Sequence, residues 1–228
     1  MQMLMSHIRA AMQRYNMIEA GDKIAVGVSG GKDSLALLYA LSEMRRFYPV
    51  PYELVAITLD MQFDSKPTNF SKIQSLCDKL GVEYIIRPTQ LAKVIFEDRK
   101  EKNPCSLCAK MRRGALHRAA KDFGCNKVAL GHHFDDVVET FMLNLFYEGR
   151  IGCFQPVSDL SRTGLRIIRP LLYMPERDVV YFANKNNLPV YRAPCPADGY
   201  TQRTEVGELL ADLEKKSPGL RHRIFGAI

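Results

Sequence analysis

The sequence predicts an α/β fold: a doubly wound, mainly parallel sheet with helices on both faces. Short apolar, β-branched runs alternate with segments of helical period along the first two thirds of the 228 residues. The first apolar run also passes through two glycines directly into a helical segment, as in strand–helix turns that bind anions. An N-terminal helix and a C-terminal helical extension complete the predicted architecture.

Each element is predicted from its local pattern. Strands are expected where β-branched apolar runs end at glycine or polar residues, namely at 23–29, 53–59, 82–87, 127–130 and 166–168. Helices are expected where apolar residues recur every three to four positions, namely at 2–19, 34–46, 70–80, 91–97, 106–123, 133–147, 175–186 and 201–214. Residues 98–104 form a predicted charged loop. The predicted organisation is an N-terminal helix (1–20), an α/β domain (21–190) and a C-terminal segment (191–228) packed on it.

Composition and charge narrow the class of protein. Lys and Arg number 32 against 25 Asp and Glu, which gives a net charge of +7 and suits either a nucleic-acid partner or a solvated basic surface. No apolar run reaches the roughly 18 residues of a membrane span. The first helix carries His7, Arg9 and Arg14 and does not resemble a signal peptide, so a cytoplasmic location is expected. The six cysteines are therefore expected to be reduced rather than paired.

A glycine-rich loop joins the first predicted strand to the next helix. Its two glycines let the backbone turn sharply, and the amides at the helix start can hold a phosphate or pyrophosphate. A lysine and two hydroxyls add donors, and an aspartate can help to bind Mg²⁺. The loop consists of Ser29, Gly30, Gly31, Lys32, Asp33 and Ser34.

Other phosphate-binding patterns do not describe this loop. The Walker motif requires glycine where Val26 stands and Ser or Thr where Asp33 stands, and the dinucleotide pattern G-x-G-x-x-G is absent from it. The alternative to an ATP site is a glycine-rich turn that binds no ligand.

Three cysteines form a candidate metal or redox site. Cys105 and Cys108 lie one helical turn apart at the start of a predicted helix, and Cys195 lies between two prolines in a stiff loop. The spacing is compatible with a redox dithiol, half of a zinc site, unligated thiols, or a 4Fe-4S cluster with one open iron. Cys77 and Cys125 are predicted to be packing residues.

An acidic turn follows the fourth predicted strand. Gly131 and His132 end the strand, and Asp135 and Asp136 begin the following helix. Carboxylates at this position cap helices, and at the carboxyl edge of a parallel sheet they also bind Mg²⁺ or position substrate. Both interpretations remain open from the pattern alone.

The motifs together resemble the PP-loop ATP-pyrophosphatase superfamily, and within it the tRNA 2-thiocytidine synthetase family. The resemblance covers roughly residues 20–205 and is carried by motifs in the family's order. These are SGGKDS, PCSLCAKMRRGAL, LGHHFDDVVETFMLNLFYEGR, IRPLLYMPERDVVYFA and APCP. The resemblance implies that ATP adenylates a pyrimidine carbonyl of tRNA, cytidine 32 in the nearest subgroup, and that sulfur then displaces AMP.

The resemblance also implies roles for individual residues. Cys105, Cys108 and Cys195 would hold a 4Fe-4S cluster, with Cys105, Cys195 and Asp136 acting in catalysis. The 29–34 loop, Gly131 and His132 would bind ATP and pyrophosphate, and Asp33 and Asp135 would hold Mg²⁺. The expected partners are tRNA, a sulfur donor such as a cysteine desulfurase, and a second copy of the chain in a homodimer. The basic residues that could meet tRNA phosphates, or form only a solvated face, are Lys110, Arg112, Arg113 and Arg118.

One departure and several alternatives accompany this prediction. Where the family often has a further cysteine after Cys195, this chain has Asp198, so a fourth thiolate is not expected. The alternatives are sulfur carried by a cysteine persulfide without a cluster, thiouridine synthesis, lysidine or amide synthesis, and a non-catalytic RNA-binding module.

Overall fold

The fold is built on a six-stranded sheet. The computed structural model describes residues 2–63, 67–99, 104–197 and 201–228. The strand order is β3-β2-β1-β4-β6-β5, and every neighbouring pair is parallel except the antiparallel β5–β6 edge. The strands are β1 (Asp22–Gly27), β2 (Tyr52–Asp60), β3 (Glu83–Pro88), β4 (Lys127–Ala129), β5 (Val157–Leu160) and β6 (Leu165–Ile168).

Helices cover both faces of the sheet. A π-helical segment, Lys93–Asp98, precedes the fourth α-helix. The α-helices of the described residues are α1 (Gln2–Arg14), α2 (Lys32–Met44), α3 (Ser71–Leu80), α4 (Pro104–Asp122), α5 (Phe134–Tyr147), α6 (Glu176–Lys185), α7 (Gln202–Lys216) and α8 (Leu220–Gly226). The predicted fold class is thereby confirmed.

Alternating strand residues feed two hydrophobic cores. Ile24 and Val26 of β1 pack on one face, in the core that also buries apolar residues of α1, α2, α3 and α6. Ala25 points to the opposite face and packs with Val128 of β4 and with Ala120 of α4. Since successive strand side chains point to opposite faces, strands that are apolar throughout require helices on both sides.

The strand order places a crevice above β1 and β4. From β1 the chain proceeds through β2 to β3 in one direction, whereas β4 leads to β6 in the other. Adjacent connections that leave in opposite directions open a gap beyond the carboxyl ends of the strands, where ligands bind in this kind of sheet. The 29–34 loop follows β1 and the His132 turn follows β4, so both lie at this crevice.

One local prediction was wrong, and two short elements were not predicted. The first helix ends at Arg14 rather than at residue 19, because Asn16 takes a left-handed conformation (φ 45°) and the Met17 amide bonds back to Met12. Strand β5 was not predicted, since only four residues of mixed polarity form this sheet edge. Helix α8 was not predicted either, because it is seven residues long and strongly basic.

No helix in the described ranges is long and apolar enough to cross a membrane. Asp198, and most of the predicted charged loop at 98–104, lie outside the described residues.

Candidate active site

The 29–34 loop is shaped to receive an anion at the start of α2. Gly30 has a φ of 89°, which lets the backbone reverse after β1. Gly31 takes the N-cap position without any side-chain cap, so the first amides of α2 lack the partner that Ser, Thr or Asp would provide. Ser34 braces the loop, because its Oγ donates to the Gly31 carbonyl (2.9 Å) and accepts from the Ser29 amide (3.2 Å). The open helix start is therefore available to phosphate oxygens.

Gly131 allows the turn after β4 to touch this loop. A Cβ atom at Gly131 would lie 2.9 Å from the carbonyl carbon of Asp33 and 3.1 Å from the Ser34 nitrogen. Such distances are shorter than any side chain tolerates without displacing the backbone. Glycine at this position therefore allows the ends of β1 and β4 to lie close together, with His132 next to this contact. That His132 binds ATP stays a prediction.

Lys32 is engaged by two carboxylates. Its Nζ lies 2.8 Å from Glu176 Oε1, at the start of α6, and 3.2 Å from Asp33. Burial opposes the charge of Lys32, but these bonds outweigh it and raise the pKa of the ammonium group. Glu176 was not predicted as a site residue, although it directly follows Pro175 in the first turn of a predicted helix.

The acidic turn is largely a capping structure. His133 and Asp136 form a capping box, in which the His133 amide donates to Asp136 Oδ2 (2.9 Å) and the Asp136 amide donates to His133 Nδ1 (3.3 Å). Asp135 Oδ2 accepts from the Glu176 amide at the start of α6 (2.7 Å). The capping interpretation of this pattern is therefore realised, and the catalytic role of Asp136 stays a prediction.

Two arginines from the C-terminal helices neutralise this turn. Arg203 of α7 donates to Asp136 Oδ1 (3.2 Å), and Arg221 of α8 donates to Asp135 Oδ1 (2.9 Å). All four carboxylate oxygens of the pair thus have partners. Asp33 Oδ1, by contrast, is buried and accepts no hydrogen bond, but it lies 3.2 Å from the Lys32 ammonium, so a metal ion bound there would compete with Lys32.

The Cys195 segment is attached to the phosphate loop. The Tyr191 amide donates to the Gly30 carbonyl (2.9 Å), and a side chain at Gly30 would meet the Tyr191 ring at 3.2 Å. Four residues later, the Cys195 amide bonds to the Ala193 carbonyl (2.8 Å) in a tight turn. Cys195 is far from the phosphate loop in the sequence. It nevertheless lies only four residues beyond Tyr191, which is hydrogen-bonded to that loop.

The charges of the other two candidate thiols act on Cys108. Burial raises the pKa of Cys108, Arg112 opposes that shift, and both Cys195 and Cys105 add to it. All three are free thiols, with Cys105 exposed and the other two half-buried. Among the described residues, however, no three or more His, Cys, Asp or Glu side chains already stand in a metal-binding arrangement. Three free thiols nevertheless match in number the protein ligands of a cluster that keeps one iron open.

The basic residues of α4 face solvent next to these thiols. Arg112 also bonds to the Cys108 thiol, so it cannot be only a solvated charge. Cys77 and Cys125 are buried in the two cores, as predicted for packing residues. The exposed basic residues are Lys110, Arg112, Arg113 and Arg118.

Comparison with known proteins shows the family to which the chain belongs. The family model described as a PP-loop domain matches residues 4–207. The chain belongs to the PP-loop domain family. The resemblance read from the motifs is confirmed, and helix α8 lies beyond the matched range.

Relatives and a solved structure extend the match over nearly the whole chain. The chain is 39% identical over 221 residues to the tRNA-cytidine(32) 2-sulfurtransferase of Geobacter metallireducens, covering 96% of this chain and 85% of the relative. It is 40% identical over 229 residues to the protein of the same name from Delftia acidovorans, covering 99% and 72%. The U34-tRNA thiolase NcsA from Methanococcus maripaludis, solved with its 4Fe-4S cluster, superposes with a TM-score of 0.81 at 28% identity, covering 99% of this chain and 76% of that one.

Proposed function

We propose that this protein is an ATP-dependent tRNA sulfurtransferase that replaces a pyrimidine carbonyl oxygen with sulfur, with cytidine 32 as the target base. The observation that carries the proposal is the bond from Tyr191 to Gly30, which joins the phosphate loop to the segment bearing Cys195. An ATP site and a thiol site placed together are what adenylation followed by sulfur transfer requires. Lysidine or amide synthesis would use the loop but would leave the three free thiols Cys105, Cys108 and Cys195 without a role.

The phosphate loop would hold the leaving pyrophosphate. The pyrimidine carbonyl oxygen attacks the α-phosphorus of ATP, the bond to the bridging oxygen breaks, and pyrophosphate departs. The free amides at the start of α2 and the Lys32 ammonium stabilise the charge that develops on it. Lys32 must then exchange its bond with Glu176 for phosphate oxygens.

Sulfur replaces AMP in the second step. Sulfur at the oxidation level of sulfide adds to the activated carbon, and AMP leaves with the former carbonyl oxygen. A 4Fe-4S cluster held by Cys105, Cys108 and Cys195 would supply an iron free of protein ligands at which a sulfur nucleophile can bind. The Arg112 guanidinium beside Cys108 favours the thiolate form that ligation needs.

The remaining partners follow from this chemistry. Asp33 would help to hold the Mg²⁺ that accompanies ATP, whereas Asp135 caps α6. The exposed basic face of α4 would meet tRNA phosphates beside the thiols. A sulfur donor such as a cysteine desulfurase must supply each turnover, and we place the enzyme in the cytoplasm as a homodimer.

The test uses anaerobically purified protein with ATP, a sulfide source and unmodified tRNA. Wild type should contain on the order of four irons per chain, form AMP and pyrophosphate, and yield a 2-thiocytidine identified by nucleoside mass spectrometry. Lys32→Ala should lose AMP formation while keeping its iron. Cys195→Ser should lose iron and thiolation, whereas Cys125→Ala, in a buried thiol of the core, should lose neither.

Specific outcomes would replace the proposal. Thiolation by protein free of iron would favour a cysteine persulfide, and a thiouridine product would reassign the base. Unchanged thiolation by Lys32→Ala would exclude the loop as the ATP site. Binding of tRNA without any turnover would favour a non-catalytic module.

A further inference from the structure

A buried arginine next to the crevice lacks a counter-ion. Arg169 directly follows β6 in the IRPLL segment, which has no role in the chemistry above, and it is only 9% exposed. Its Nη1 donates to the Gln155 carbonyl (2.6 Å) and to Ser158 Oγ (3.3 Å), which are both neutral acceptors. Its Nε has no hydrogen-bond partner, and no carboxylate of a described residue lies within 4.0 Å of the guanidinium.

The charge of Arg169 persists despite this burial. Burial lowers the pKa of Arg169 to about 10, and the nearby Arg113 acts in the same direction. At neutral pH the guanidinium is therefore still protonated. A buried charge without a partner destabilises a fold, because neither water nor a counter-ion stabilises it. Because this charge lies beside a ligand crevice, we expect a bound anion to act as the counter-ion of Arg169.

A second unpartnered group contacts the same aromatic ring as Arg169. The Phe154 ring lies 4.9 Å from the Arg169 guanidinium and 4.8 Å, between centroids, from the His132 imidazole. His132 Nδ1 is buried without a hydrogen-bond partner. Burial, and then the charge of Arg169, lower the pKa of His132 to about 4, so its imidazole is neutral and can offer a single N–H.

Neighbouring acids do not fill this gap. Asp136 is the acidic group that acts on His132, and its oxygens are already bonded to Arg203 and to the His133 amide. Arg113, on the exposed face of α4, adds positive charge from the side of the thiols. The group formed by Arg169, His132 and Phe154 thus has one uncompensated positive charge and two unused polar atoms.

The position of these three side chains indicates which anion they would bind. His132 follows Gly131, which touches Asp33 and Ser34 of the phosphate loop, and the Leu130 amide bonds to Ile168 just before Arg169. Arg169, His132 and Phe154 therefore lie beside the 29–34 loop, where pyrophosphate would bind, on the side toward β6. In a bound ATP the group next to the pyrophosphate is the α-phosphate, which becomes the phosphate of AMP.

We propose that Arg169, with His132 and Phe154, forms a separate subsite for the α-phosphate of ATP and for the AMP that leaves after sulfur transfer. The inference rests on the proposed function and deepens it, because it divides the nucleotide site in two. The 29–34 loop holds the pyrophosphate, and the Arg169 subsite holds the phosphoryl group that is transferred to the base.

The test compares two product ligands by calorimetry, AMP and inorganic pyrophosphate with Mg²⁺. Arg169→Gln should weaken AMP binding by about tenfold or more, as expected for loss of a hydrogen bond to a charged group, and leave pyrophosphate binding unchanged. Lys32→Ala should show the opposite pattern. Arg169→Lys should restore part of the AMP affinity. The matched control is Arg166→Gln, because Arg166 lies on β6, just before Arg169, and pairs with Asp159 of β5 at the surface.

Each outcome decides one question. If Arg169→Gln does not fold, His132→Ala provides the same comparison, with a weaker but still AMP-selective loss expected. Equal weakening of AMP and pyrophosphate, or unchanged AMP binding, would overturn the subsite. Loss confined to tRNA affinity would assign the charge to an RNA phosphate instead and would also overturn it. Failure of the wild-type protein to bind either ligand would refute the proposed function itself.

Discussion

At the scale of single residues, the site depends on contacts that leave no room for a side chain. Gly131 is the clearest case, because its Cα faces the backbone of Asp33 and Ser34 across the crevice. The sequence marks Gly131 as a strand end, but no local pattern reveals this contact between segments 97 positions apart along the chain, from Ser34 to Gly131. Close approach of two backbones is a tertiary property.

Gly131→Ala tests this contact. The added methyl would lie 2.9 Å from the Asp33 carbonyl carbon, so the 29–34 loop must move away from the helix-start geometry that holds phosphate. We expect ATP affinity to fall by about tenfold or more, with far-ultraviolet circular dichroism unchanged, when binding is measured by calorimetry. Gly114→Ala is the control, since a methyl there meets no atom within 4 Å. Wild-type affinity in Gly131→Ala would show that the loop tolerates the displacement.

At the scale of elements, the two edges of the sheet have different tasks. The crevice lies at the carboxyl ends of the strands. At their amino ends, Asp22 of β1 and Lys127 of β4 form a buried ion pair (2.7 Å), and both side chains are 3% exposed. Asp22 also accepts from the Glu19 amide (2.6 Å) and from Asn126 (2.7 Å). The pair fixes the register of β1 against β4, and that register positions the two loops of the site.

Asp22→Asn should destabilise the fold, since it leaves Lys127 buried beside Glu19 alone. Breaking such a pair costs about 3 kcal/mol of unfolding free energy, measurable by urea denaturation at pH 7. Asp159→Asn, in an exposed pair with Arg166, should change it by less than about 1 kcal/mol. A loss of similar size in both variants would contradict the structural role of the buried pair.

The same pair predicts a pH dependence. Burial opposes ionisation of Asp22, but the bonds from Glu19, Lys127 and Asn126 outweigh it and hold the pKa below its ordinary value of 3.8. A depressed carboxyl pKa stabilises the fold above about pH 4, and that contribution is lost as the pH falls through the lowered pKa. The difference between wild type and Asp22→Asn should therefore narrow below pH 4.

Strands and helices with strong periodicity were predictable, and short edge elements were not. The core strands β1, β2 and β4 are apolar because both faces are covered, which makes them visible in the sequence. Strand β5 has one exposed position, Asp159, bonded to Arg166, and its four residues carry no recognisable alternation. The phosphate loop and the thiols were found from spacing, but Glu176 and Tyr191 act through contacts between distant segments.

At the scale of the whole molecule, the C-terminal helices are connected to the phosphate loop. Arg221 of α8 bonds to Asp135, which caps α6 through the Glu176 amide, and Glu176 in turn bonds to Lys32. Phe225 also stacks on Phe134 at the start of α5 (4.7 Å between centroids). A helix beyond the matched family range thus supports the first turn of two helices that border the site.

Arg221→Met tests this support. The guanidinium is 18% exposed and also lies 3.8 Å from Glu139, so its loss leaves an acidic cluster short of one positive charge. We expect the unfolding free energy at pH 7 to fall by about 2 kcal/mol. Arg223→Met should have little effect, because Arg223 is exposed and bonds only to Ser217 and Pro218 within its own segment.

Titration of the cluster separates this role from simple packing. Burial raises the pKa of Glu139, and Arg203 and Arg221 oppose that shift. Without Arg221 the raised pKa should rise further, so protonation relieves more repulsion in the variant than in wild type. The difference in stability between the two proteins should therefore shrink as the pH falls through this raised pKa. A difference that stays constant with pH would mean that Arg221 contributes through apolar packing alone. The ion pairs of Arg221 with Asp135 and Glu139 would then contribute nothing to the unfolding free energy.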